Sequence, residues 1–217
     1  MPPDTTKGII FDMDGVLWLS GPIHENAFSR VMAENRLPQV DYAHLAGRRT
    51  DQVFRQLLRE HGDAVSEEDV LRLTRLKQLY AMELLRRNPP VDPQCPGVIR
   101  ALANRMQVAL ASSASREGVA TFLQASGLEK VFSVVLSGDD VQNAKPDPEI
   151  YLLALQKMGL AANQVFVVED SAHGVDAAIQ AGIGVIVRNT GYSLGDQRSP
   201  WIHARINTLD ELDNHVW

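Results

Sequence analysis

The sequence predicts an α/β protein: one parallel sheet with helices on both faces, and a block of helices inserted after the first strand. Three observations carry this. The run Gly8-Ile9-Ile10-Phe11 is wholly apolar beyond its glycine and ends in Asp12-Met13-Asp14-Gly15. Residues 15–88 contain no second run of that kind. From Val91 onward, short apolar runs alternate with helical stretches. The first run is too short for a helix and has no polar side, so it reads as a strand buried on both faces.

Composition narrows the setting. The 217 residues are 45% hydrophobic and 22% charged, which suits one good core plus a smaller satellite. A formal net charge of −6 disfavours nucleic acid or an anionic membrane surface as the main partner. The single cysteine, Cys95, excludes an intrachain disulfide and reads as a small filler residue. No apolar stretch approaches the ~20 residues of a membrane span. The start, Met1-Pro2-Pro3-Asp4-Thr5-Thr6-Lys7, is polar and unlike a signal peptide, so a cytoplasmic enzyme is expected, monomeric or weakly dimeric.

The segment after Gly15 reads as helices over 25–34, 51–61 and 66–87. The third opens on Ser66-Glu67-Glu68-Asp69, a capping-box pattern. Val70, Leu73, Leu76, Tyr80 and Leu84 follow at helical spacing, and Asn88-Pro89-Pro90 stops the helix. Residues 20–90 are therefore expected to form a helical cap domain, with 1–19 and 91–217 as the core.

In the remainder, strands are expected over 108–111, 134–136, 165–168 and 185–187. Helices are expected over 98–105, 116–126, 149–158 and 175–181. Three of these helices run into a glycine and an apolar residue: Gly127-Leu128, Gly159-Leu160 and Gly182-Ile183. That pair suits a left-handed cap with an apolar contact back onto the last turn. Such alternation implies right-handed crossovers and a Rossmann-like parallel sheet. The tail, 194–217, reads as turn-rich with a short closing helix over 209–214.

In a parallel sheet, groups at the carboxyl ends of the strands converge. Asp12 and Asp14 follow the first strand, Ser112 and Ser113 the second, and Glu169 and Asp170 the fourth, while Lys145 sits in a loop after the third. Asp12 and Asp14 repel each other at this spacing, which asks for a cation or a shared proton. The assembled set suits phosphoryl transfer through a carboxylate nucleophile. Four carboxylates against one ammonium would repel a phosphate dianion. One Mg²⁺ offsets much of that charge and prefers oxygen ligands. Lys145 adds a point charge for phosphate oxygens, and the Ser112 hydroxyl can hold another.

These residues resemble the haloacid-dehalogenase-like hydrolases, in the branch that holds beta-phosphoglucomutase and many sugar-phosphate phosphatases. Four motifs stand in order: Phe11-Asp12-Met13-Asp14-Gly15, Ala111-Ser112-Ser113, Lys145-Pro146-Asp147-Pro148 and Val168-Glu169-Asp170-Ser171. The resemblance implies Asp12 as nucleophile and Mg²⁺ ligand. It implies Asp14 as general acid/base, lending its backbone carbonyl to the metal. Ser112 would bind the phosphoryl group, with Ser113 beside the substrate, and Lys145 would neutralise it. Asp170 would be the second side-chain metal ligand, and Glu169 would support the metal or Lys145. Asp147 reads as a helix cap, and Ser171, His173 and Gly174 as shaping the next turn.

The resemblance also makes the cap the judge of substrate. Leu19 stands in the hinge where many relatives carry aspartate. His24 matches a histidine that faces the active site in related mutases and sugar phosphatases. Gly47-Arg48-Arg49-Thr50-Asp51 is similar to the family's substrate loop, with Gly47 at its turn and Arg49 the better placed arginine. A mutase lysine would precede a tyrosine by one turn. Aligned on Tyr80 that position is Leu76, and Lys77 lies ~100° round the helix. The expected function is a Mg²⁺-dependent phosphatase of a small phosphorylated metabolite such as a sugar phosphate, with a sugar phosphomutase as the alternative.

Overall fold

A computed structural model describes residues 6–61, 65–190 and 200–216. The polar start up to Thr5 and the first part of the tail lie outside them.

Six strands form one parallel sheet: β1 (Gly8–Phe11), β2 (Gln107–Ala111), β3 (Val134–Leu136), β4 (Val165–Glu169), β5 (Gly184–Arg188) and β6 (Ile202–Ile206). Their order is β3-β2-β1-β4-β5-β6, so β1 is central and both flanks run outward from it. Side chains alternate between two cores, as the pleat requires. Ile9, Phe11, Leu110, Phe166 and Val168 pack on one face. Ile10, Ala109, Ala111, Val167 and Val185 pack on the other. The helices after the insert are α4 (Cys95–Ala103), α5 (Arg116–Ser126), α6 (Glu149–Met158) and α7 (Ala172–Gln180).

The strand β6 is an addition to the five expected. It is an edge strand with alternate residues exposed, so its sequence has no apolar run to betray it. The closing helix over Leu209–Asn214 is 3-10 rather than α. All three glycine stops form: Gly127, Gly159 and Gly182 have positive φ, and the amides of Leu128, Leu160 and Ile183 reach back to the last turn.

The insert holds α1 (Gly21–Glu34), α2 (Thr50–His61) and α3 (Glu67–Arg87). The first starts earlier than the apolar pattern suggests, because Pro22 fits a first helical turn. These helices close on a third core that includes Phe28, Met32, Tyr42, Phe54 and Leu73. Ser66 flanks α3, but its hydroxyl makes no capping bond. The expected capping box does not form, because Glu67 pairs with Arg55 and Asp69 with Arg72 instead. The buried line of α3 also differs from the stripe ending in Leu84, which is exposed. Val70 and Leu73 face the insert's own core. A second line, Thr74, Lys77, Ala81 and Leu85, is buried against a cavity over the sheet.

Two linkers join insert and sheet side by side. The Leu19 amide donates to Pro90 O at 2.7 Å, and the Asp92 amide to Leu17 O at 3.1 Å. The buried Arg188 donates to both the Val16 carbonyl and Asp92. Among the described residues, no helix is long and apolar enough to cross a membrane.

Candidate active site

The carboxyl ends of β1, β2 and β4 meet beneath the insert. Lys145 is the centre of the arrangement. Its Nζ donates to Asp12 Oδ1 at 2.6 Å, Glu169 Oε1 at 2.7 Å and Ala111 O at 3.1 Å. An ammonium has three donors, so all are used. Lys145 is almost fully buried and keeps its charge. Burial pulls its pKa down, but Asp12 and Glu169 hold it well above the usual lysine range. Its bond to Pro146 is cis. Downstream, Asp147 accepts from the Glu149 amide at 2.9 Å, the helix-starting role expected of it.

Glu169 is saturated by the protein. Oε1 accepts from Lys145 and from Tyr151 Oη at 2.6 Å. Oε2 accepts from the amides of Asp170 and Ser171 and from Ser171 Oγ. Burial alone would raise its pKa, but Lys145 and these donors hold it below the usual carboxylate range. This geometry makes Glu169 a holder of Lys145 more than a ligand. Gly174 is needed for it: a Cβ there would lie 1.8 Å from Glu169 Oε1. Ser171 caps α7 through the Gly174 amide. Tyr151 escapes the sequence reading, because within α6 it is one apolar-face residue among several.

Asp12 and Asp170 have fewer donors: Asp12 Oδ1 accepts from Lys145, and Asp170 Oδ2 from Thr190 Oγ1 at 3.3 Å. Burial, only partly offset by Lys145, pushes Asp12 up to about 8. Burial with Glu169 and Asp12 nearby puts Asp170 well above the usual range. Carboxylate oxygens of Asp12, Glu169 and Asp170 lie within 4.8 Å of one another. Two hard oxygen donors that resist ionisation fit a hard divalent cation, whose charge would reverse both shifts. Gly15, at φ +82, keeps this spot open: a Cβ would sit 1.8 Å from Asp170 Oδ2.

Asp14 turns away from that cluster toward the insert. Its Oδ1 accepts from Ser20 Oγ at 2.5 Å and lies 3.0 Å from His24 Nε2. Burial would raise Asp14, but His24, Ser20 and Lys77 hold it below the usual value. Lys77 Nζ lies 3.0 Å from His24 Nδ1. While it carries its charge, an ammonium can only donate, so Nδ1 accepts and Nε2 carries the proton given to Asp14. Burial and Lys77 keep His24 below its usual pKa. The expectation that Lys77 misses the site is thus corrected. The tyrosine used for alignment, Tyr80, bonds Glu34 on the outer side of the insert, so it set the wrong register.

The other expected residues fall as follows. Ser112 is buried, its Oγ accepting from the Ala114 amide at 3.1 Å. Ser113 Oγ donates to Gly47 O at 3.2 Å, which ties the loop of the insert to the sheet. Arg49 pairs with Asp51 at 3.0 Å and lines the cavity, whereas Arg48 bonds Gln56. That cavity, about 310 Å³, runs from Asp14 and His24 to Arg49 and Ser113. A second, about 370 Å³, opens on the other side of Asp14 between Leu19 and Asp170.

The family model described as haloacid dehalogenase-like hydrolase matches residues 9–188. A phosphorylated carbohydrates phosphatase of Thermotoga maritima is 37% identical over 183 residues, 82% of each chain. A phosphoglycolate phosphatase of Yersinia pestis is 29% identical over 194 residues, 88% of this chain and 84% of the relative. The crystal structure of CbbY from Rhodobacter sphaeroides in complex with phosphate shares the fold, with a TM-score of 0.82 at 24% identity over 96% of each chain. The chain belongs to the haloacid dehalogenase-like hydrolases.

Proposed function

We propose that this hydrolase is a Mg²⁺-dependent phosphatase of small phosphomonoesters, sugar phosphates first among them. One observation carries the reading: a buried Lys145 bonds both Asp12 and Glu169, while carboxylate oxygens of Asp12, Glu169 and Asp170 gather within 4.8 Å of one another, where a cation would fit. The relative that acts on phosphorylated carbohydrates supports the substrate class.

Asp12 and Asp170 would hold the metal with the Asp14 backbone carbonyl, and the metal would supply charge neutralisation on the phosphoryl oxygens. Asp12 Oδ2, the oxygen not bonded to Lys145, attacks phosphorus and carries the phosphoryl group as an aspartyl phosphate. Ser112 holds a phosphoryl oxygen through its O–H, and Lys145, its three N–H groups already spent on Asp12, Glu169 and the Ala111 carbonyl, sets its positive charge beside the phosphoryl group. Asp14, protonated from solvent before the attack, gives that proton to the leaving alcohol as the ester P–O bond breaks, then takes one from the water that attacks the aspartyl phosphate and frees both phosphate and Asp12. His24 and Lys77 set its ionisation from the insert. Residues 20–90 act as the cap that encloses the leaving group.

A second reading, a sugar phosphomutase, gains from Lys77, which stands at the site after all. A panel of phosphomonoesters assayed for phosphate release, with Mg²⁺ and with EDTA, tests the first. Interconversion of glucose phosphates primed by a bisphosphate tests the second. Absence of Mg²⁺-dependent phosphate release from every ester would overturn the phosphatase.

A further inference from the structure

Among the described residues, only two buried side-chain polar atoms lack a hydrogen-bond partner: Thr74 Oγ1 and Trp18 Nε1. They come from distant parts of the chain, one from α3 and one from the linker after β1. Both residues nevertheless line the same cavity, the one that reaches Asp14 and His24. A buried donor or acceptor without a partner is costly, so native structures keep few. Thr74, the less buried of the two residues, borders that cavity with a hydroxyl for which the protein supplies no partner.

The neighbours define what that partner is. Lys77 follows Thr74 by one turn on the same face and bonds His24, so Thr74 stands next to the group that serves the leaving-group acid. Met13, Ala81, Met82 and Leu85 add apolar wall, and Gln78 an amide. Apolar wall with a few separated polar groups suits a carbon chain bearing hydroxyls. Arg49, Arg75 and Lys77 line the same cavity but are matched by Asp14, Asp51 and Asp139, so it offers no excess of cations to a second anionic group.

We infer that Thr74 is a specificity residue: its hydroxyl hydrogen-bonds a hydroxyl group of the leaving alcohol, so the enzyme prefers polyhydroxylated phosphate esters to phosphoglycolate. The inference rests on the phosphatase reading and sharpens its substrate class. Threonine in a helix populates two χ1 states, so its hydroxyl can turn toward a bound alcohol without moving α3. Trp18 is fixed, edge-on against Phe122 at 5.3 Å between ring centroids.

The test compares wild type with Thr74→Val, which keeps shape and removes the hydroxyl, and Thr74→Ser, which restores it. Substrates are a set of pentose and hexose phosphates, phosphoglycolate and para-nitrophenyl phosphate. For the sugar phosphate turned over best, Thr74→Val should lower kcat/KM about tenfold and Thr74→Ser should recover most of it. Hydrolysis of para-nitrophenyl phosphate should change less than twofold. The melting temperature of Thr74→Val should stay level or rise, since an unpartnered hydroxyl has gone; a structural hydroxyl would give a fall. Equal losses on sugar and aryl phosphates, no loss on either, or a wild type that prefers phosphoglycolate overturns the Thr74 assignment alone. A wild type that hydrolyses none of these esters removes the phosphatase reading beneath it.

Discussion

His24 Nε2 lies 3.0 Å from Asp14 Oδ1, so a side chain of the helical insert conditions a carboxylate on the sheet. The pair exists only when insert and sheet are together. Its effect is to hold the Asp14 pKa below the usual carboxylate range although the group is buried.

Replacing His24 with alanine removes the strongest group that lowers the Asp14 pKa, leaving burial to raise it. The acidic limb of kcat against pH should move to higher pH, and kcat should fall by ~10- to 100-fold. A profile with unchanged shape would show that His24 only packs.

Asp12→Asn should abolish turnover, by ~10³-fold or more, with the fold intact. Because Asp12 is strained toward neutrality at about 8, the amide should cost little stability. Circular dichroism and a melting curve settle the second point, and residual near-normal activity would refute the nucleophile.

Metal dependence should have a readout apart from catalysis. Mg²⁺ bound to the native state raises the melting temperature by mass action. Wild type should show that rise, EDTA should cancel it, and Asp170→Asn should lose it. An Asp170→Asn protein stabilised as much as wild type would move the metal elsewhere.

Lys77 gives a stability test with a definite sign. Burial, opposed only partly by Asp14, lowers it from 10.5 to about 8 in the folded protein. Between those values the unfolded chain binds more protons, so wild-type stability should gain with rising pH across about 8 to 10.5 relative to Lys77→Met. Below about 8 the lysine is charged in both states and its full cost stands. Parallel curves for the two proteins would mean Lys77 is not desolvated in solution.

Gly47→Ala addresses the loop of the insert. A Cβ there would come 2.3 Å from Ser171 Oγ, at φ +76 where alanine is strained. KM for a sugar phosphate should rise several-fold while the melting temperature drops modestly. Unchanged KM would mean the loop need not seat on the sheet during binding.

Much of this was readable from the chain. The strand ends carry their acids at fixed places, so Asp12, Glu169 and Asp170 converge as topology requires, with Lys145 reaching them from the loop after β3, while Asp14 turns toward the insert. Helices hide more. On α3, Leu76 and Tyr80 pack toward the insert's core, while Thr74 and Lys77 face the cavity. A polar line beside an apolar one reads as a wetted surface until something is known to cover it. Tyr151 and β6 were missed for related reasons, since a buried hydroxyl among apolar residues and a half-exposed edge have no periodic signature.

The paired linkers have a mechanical consequence. Leu17, Leu19, Pro90 and Asp92 are laced backbone to backbone, and Arg188 pins both strips at their root. Two straps sewn together bend easily across their width and resist shear along their length. The lacing therefore opposes sideways slip of the insert along the sheet and keeps His24 in register with the same carboxylate.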